Sequence, residues 1–271
     1  MQPGPASDDA GLRPARRGRP ARPRRGRRPA LTAVLVLALC GLGIATKGAL
    51  TQVMPRRFTL AQQRAIQSWA IGRRWRTLPE STIFPDSVPY QLPADALDPG
   101  GTSLALAARR LGIGPSVGCA RGANPPAARI LAAYGCSTVL RATYADSTGS
   151  MLVTLGVAVL PSSSAATAAG NRLADGEPKA SDGSVSPAPV PGTLAAGFSG
   201  SQRQMSWATH AGSYVIMATA GYSDGRPQEQ VAADSYLFAE MSNLELGIGD
   251  TVSGVLGKVP PTPSCPGAPG C

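Results

Sequence analysis

Apolar residues along this chain change their spacing several times, and each change marks an element. Residues 30–46, ALTAVLVLALCGLGIAT, form one unbroken apolar run closed by Lys47. A helix rises about 1.5 Å per residue and about 20 apolar residues cross the core of a bilayer, so 30–50 reads as a transmembrane signal-anchor helix. Lys47 can extend its ammonium to the headgroups while its stem stays in lipid.

After this run the spacing becomes helical. Phe58, Ala61, Ala65, Ile66, Trp69 and Gly72 fall near one face behind a Thr59-x-x-Gln62 capping pattern. They predict a juxtamembrane helix within 56–77. One reading puts Arg73, Arg74 and Arg76, with Trp69 and Trp75, at headgroup level. The other makes this a surface helix of the domain. Pro79, Pro85, Pro89 and Pro93 then exclude a central strand and suggest an extended stretch along a sheet edge.

Alternation follows. Leu104, Leu106 and Ala108 predict a strand over 103–111, stopped by Gly112 and Gly114. Asn124-Pro125 opens a helix that runs to Tyr134 and ends at Gly135. Residues 136–144 and 151–160 form a hairpin around the turn 146–149. An alanine-rich helix covers 163–173. Residues 176–192, polar and carrying Pro178, Pro187, Pro189 and Pro191, read as a mobile loop. A second hairpin joins 203–209 to 214–222 across His210-Ala211-Gly212, and 228–246 reads as a closing helix. Residues 248–271 read as a disordered Pro/Gly tail. The order predicts an α+β domain over 78–247: an antiparallel sheet with helices on one face. Its first six elements match the split β-α-β pattern of ferredoxin-like sheets.

Charge orients the chain. Nine arginines lie between Arg13 and Arg28, against Asp8 and Asp9. Basic residues stay on the cytoplasmic side, so 1–29 is expected inside as a disordered Arg-rich tail and the rest outside. A cleaved signal peptide fits less well, because the basic region is long and Lys47 would occupy the cleavage site. Beyond Leu50 the chain has sixteen basic and fourteen acidic residues. The outer part is therefore no basic nucleic-acid module, and the tail lacks aromatics to stack bases. The expected partners are the lipid bilayer and a membrane or envelope protein; no nucleic acid is expected.

Cysteine usage agrees with export. Cys40 lies in the apolar run, while Cys119, Cys136, Cys265 and Cys271 lie beyond it, an even number. Three connectivities are open, and Cys119–Cys136 with Cys265–Cys271 is the most local. There is no C-x-x-C spacing and one histidine, which is poor metal chemistry. No cofactor is expected.

Candidate chemistry is sparse. Gly221-Tyr222-Ser223-Asp224-Gly225 matches G-x-S-x-G after a predicted strand. Its base would have to be His210, which precedes it at the hairpin tip, so an ordinary turn explains these residues better than a cell-surface serine hydrolase. Gly112-Ile113-Gly114 and Gly247-Ile248-Gly249 lack the rest of a phosphate loop. Asp146, Asp224, Asp234 and Glu240 show no diagnostic spacing for acid–base work. His210 titrates near neutrality in principle, but at a hairpin tip it is expected to be simply exposed.

Residues 134–146, YGCSTVLRATYAD, and 191–197, PGTLAAG, resemble uncharacterised single-pass membrane or secreted proteins of Streptomyces-type actinobacteria. The resemblance covers most of 56–247. It implies location but no activity and no catalytic residue. The expectation is a membrane-anchored, extracytoplasmic, non-enzymatic domain that binds a protein or cell-envelope component. A serine hydrolase using Ser223 and a membrane sensor are the alternatives.

Overall fold

The computed structural model describes residues 32–42, 58–92, 102–174, 184–227 and 235–262. The chain divides into two units, Met1–Arg57 with Cys265–Cys271, and Phe58–Ser264. In the first, residues 32–42 form an exposed helix, α1. Among the described residues no helix is long and apolar enough to cross a membrane. The rest of the expected span, 30–31 and 43–50, and the tail 1–29 lie outside the described residues, as do Asp234, Cys265 and Cys271.

The second unit holds the α+β domain. Its helices are α2 (Leu60–Gly72), α3 (Arg74–Thr77), α4 (Glu80–Ile83), α5 (Cys119–Gly122), α6 (Pro125–Ala133), α7 (Ser163–Ala174) and α8 (Ser235–Gly257). Its strands are β1 (Ser87–Leu92), β2 (Leu104–Val117), β3 (Thr138–Ala145), β4 (Met151–Val159), β5 (Arg203–Ala211) and β6 (Tyr214–Tyr222). They form one antiparallel sheet in the order β1-β2-β3-β4-β6-β5. The split β-α-β arrangement occurs in its second half, where β4 and β5, joined through α7, bracket β6. In the first half β2 and β3 are antiparallel neighbours.

Helices cover both faces of the sheet, not one. On the central strands β4 and β6 every residue is buried, so both sets of alternating side chains need cover. Met151, Val153, Leu155 and Val157 face the long α8, which reaches from β1 to β5 across the sheet. Val139, Ala158, Val215 and Met217 face α5, α6 and α7. The small, polar face of each strand misled the sequence expectation, because Thr143, Thr154 and Thr219 look solvent-directed yet are wholly buried.

Those threonines hold a strap. Residues 184–192, expected in a mobile loop, are ordered and lie across β3, β4 and β6, with Ser184, Val185 and Ala188 buried. Thr143 Oγ1 donates to Ala188 O at 2.6 Å, Ala188 N donates to Thr154 Oγ1 at 3.1 Å, and Thr219 Oγ1 donates to Val185 O at 2.7 Å. Arg141 donates to Ser186 O and Pro187 O. Proline fixes much of the strap's backbone beforehand, and the hydroxyls satisfy its polar groups. Glycine leaves the room: a Cβ on Gly156 would stand 2.5 Å from Val185 Cγ2.

Several boundaries also move. β2 runs past Gly112 and Gly114 through two register shifts, which carry the pairing with β3 on to Val117. β1 is an edge strand, as Pro89 requires. α6 keeps its expected Asn124 cap, and Gly135 stops it at φ +78°. α8 continues through Gly247 and Gly249 to Gly257, so 248–257 is helix and not disordered tail. A Cβ on Gly249 would stand 2.2 Å from the Trp207 ring, so these glycines permit contact instead of ending the helix.

Candidate functional site

Cys119 and Cys136 form a disulfide that ties α5 to the chain just before β3, with Cα atoms 6.2 Å apart. Of the four candidates, this is the pair in the described residues. Cys40 is free.

The residues of the hydrolase reading do not converge. Ser223 follows β6 directly; its N–H donates to Ser150 O at 2.9 Å, and Gly225 N donates to Tyr222 O at 3.4 Å across the turn that holds it. Asp224 pairs with Arg226, whose hydrogen bonds hold its carboxyl below the usual range. His210 lies within β5, opposite Val215, since the hairpin turn falls at Gly212-Ser213 and not at 210–212. Val215 and Ser223 stand at opposite ends of β6, about 26 Å apart at the rise of an extended strand.

Two of the candidate carboxylates do come close. Asp146 is buried and accepts from Thr148 N at 2.9 Å and Met151 N at 2.7 Å, which shapes the β3–β4 turn. Glu240 accepts from Tyr90 Oη at 3.4 Å. Burial first, and the Asp146 charge second, raise the Glu240 carboxyl above its ordinary range.

One carboxylate escaped the sequence reading. Glu245 is 1% exposed, and its Oε1 has no hydrogen-bond partner. Burial pushes its carboxyl up to about 8, against a single hydrogen bond from the Ala220 backbone. The signal was available: Met241, Leu244, Ile248 and Val252 form a buried helical stripe, and Glu245 stands at one of its core positions.

A recess lies under α2. The Thr59–Gln62 capping box starts this helix. Tyr214 Oη then donates to Ile71 O at 2.6 Å and accepts from Trp75 N at 3.3 Å, which fastens the end of α2 to β6. Arg74 donates to Val255 O and Leu256 O at the last turn of α8, where a cation is favoured. Arg74 and Trp75 therefore face the domain. Trp69 is 64% exposed, with the Arg73 guanidinium 4.8 Å from its ring centre.

Between α2, the β4–α7 turn and the β5–β6 turn a groove of about 390 Å³ opens. α2 supplies Ser68, Trp69 and Ile71, and Arg73 stands at its end. Leu160 and Pro161 lie beside Ser162 and Ser163, and Gly212 and Ser213 complete the lining. Ser162 Oγ accepts from Ala165 N at 3.1 Å, so it is held as the cap of α7. Hydroxyls, an indole and a guanidinium are binding groups. None of the lining residues is a carboxylate, a histidine or a cysteine. A second hollow, about 440 Å³, lies at Arg109–Leu111 and Gly192–Leu194. Its Arg110 is already held by Phe84 O and Asp86.

The chain matches no known protein family, no curated protein and no solved structure.

Proposed function

We propose that the protein is a membrane-anchored, extracytoplasmic, non-enzymatic domain that uses the groove under α2 to bind a protein or cell-envelope component. The carrying observation is the groove's lining: donors and an aromatic edge, with no carboxylate, histidine or cysteine among the lining residues to serve as a base for the serines. The Cys119–Cys136 disulfide supports an oxidising compartment. The Arg-rich tail and the apolar run 30–50 support a single-pass anchor with its N-terminus in the cytoplasm.

Two measurements test this. In intact cells, added protease should remove the domain and spare an N-terminal tag, and alkaline carbonate should leave the chain in the membrane. A cytoplasmic or carbonate-soluble chain rejects the anchor. A photo-crosslinking residue at Ser163 should yield a discrete adduct that the same residue at Arg129, outside the groove, does not. Identical patterns from both positions reject the groove as the binding site.

A further inference from the structure

The groove's charge and shape say more about its occupant. Arg73 is its sole charged lining residue, and no carboxylate pairs with Arg73 among the described residues. Its guanidinium lies over the Trp69 indole. A guanidinium beside an indole keeps its N–H donors, and these match the two oxygens of a carboxylate or phosphate. Ser68 lies beside this pair on α2, and the hydroxyls of Ser162, Ser163 and Ser213 stand across the groove. Ser162 Oγ is engaged by Ala165 N and Ser164 Oγ, so Ser68, Ser163 and Ser213 are the hydroxyls that can donate to and accept from a ligand, which suits one rich in hydroxyls more than an apolar one. The exposed indole adds a flat surface for the C–H face of a ring or polyol. The volume suits a small molecule or the end of a larger one.

The geometry points to a binding site for a sugar or polyol carrying one carboxylate or phosphate. Arg73 takes the anionic group, the serines take the hydroxyls, and Trp69 takes the carbon face. This rests on the reading of the groove as a binding site and names the ligand class for it. The same chemistry occurs in acidic saccharides of an envelope and in the glycerol phosphate of a lipid headgroup.

The test uses the full chain in a zwitterionic detergent and follows tryptophan fluorescence. The probes are glucuronate, glycerol 3-phosphate, glucose and inorganic phosphate at millimolar concentration. A saturable change with glucuronate or glycerol 3-phosphate, and a tenfold weaker one with glucose and with inorganic phosphate, is expected; which organic anion binds tighter distinguishes the saccharide from the headgroup source. Trp69→Phe should remove the fluorescence change, and Arg73→Gln should weaken binding about tenfold, the effect of one charge-assisted contact. Arg129→Gln, outside the groove, should change neither. Thermal melts check that each variant is folded. Equal responses to glucose and glucuronate overturn the role of Arg73, equal responses to inorganic phosphate overturn the polyol, and no saturable response overturns the ligand class. If the Ser163 crosslink persists while every probe fails, the binding groove stands and the anionic polyol does not.

Discussion

The two faces of the sheet are covered in different ways. One face meets a single long helix, α8, through large apolar side chains spaced by helical periodicity. The other meets short helices and an extended proline-bearing strap whose backbone is fastened by threonine hydroxyls and an arginine. The first face depends on non-directional burial, so it tolerates small shifts and is sensitive to lost volume. The second depends on directed hydrogen bonds in a dry interface, so it is sensitive to a single missing hydroxyl. One fold uses both solutions because β4 and β6 are buried on both sides, and one side carries mostly small or polar residues.

This contrast can be broken from either face. The largest effect should come from Leu244→Ala, which opens a cavity under α8 and should cost about 2–5 kcal/mol in denaturant unfolding. A loss below about 1 kcal/mol would mean that α8 does not carry its face.

Next comes the polar exception on that face. The Glu245 carboxyl, at about 8 when folded against 4.5 ordinarily, is protonated in the fold at neutral pH. Its protonation therefore favours the folded state below pH 4.5. That contribution falls as pH rises through the interval and is lost once pH passes about 8. Glu245→Gln keeps the shape without the titration. It should match the wild type near pH 4.5 and exceed it by about 3 kcal/mol at pH 7. Comparing the two proteins by unfolding across pH 4.5–8.5 isolates this group from the other carboxylates. A difference that stays constant with pH would remove Glu245 as its source.

On the second face, Cys119→Ser should destabilise by about 3 kcal/mol through the lost loop constraint, read as a lowered denaturation midpoint. Thiol labelling of unreduced protein should leave Cys119 and Cys136 unmodified.

The smallest effect should be Thr219→Val. It keeps shape but leaves Val185 O without its donor, a loss of about 1–3 kcal/mol. Hydrogen exchange should quicken at Ser186 and Ala188 while α8 stays protected. Equal quickening on both faces would show that strap and helix unfold together, not as separate layers.

Legibility followed the same division. The β3–β4 hairpin, the Asn124 cap and the edge position of β1 were readable, because each depends on residues close in sequence. The strap was not, because its partners, Thr143, Thr154 and Thr219, lie tens of residues away and look polar in isolation. The end of α8 was misplaced because Gly247 and Gly249 signal a stop locally, whereas Tyr90 and Trp207 require close approach there. The groove was also hidden: Trp69 and Arg73 stood out as residues, but Ser162, Ser163 and Ser213 reach them only through the packing of α2 against β6.

By itself, the sequence determined the α+β class, most strands and helices, the cysteines among which the disulfide forms and the separation of the arginine-rich, apolar N-terminal part from a nearly neutral remainder. Periodicity, caps and charge act over a few residues, and their physics is complete at that range. Only the tertiary structure decided that both faces of the sheet are covered, that a proline segment is a fixed strap, and that serines from two turns meet a Trp–Arg pair. Each of these depends on which distant groups are brought close enough to exclude water, and neither local pattern nor composition contains that information.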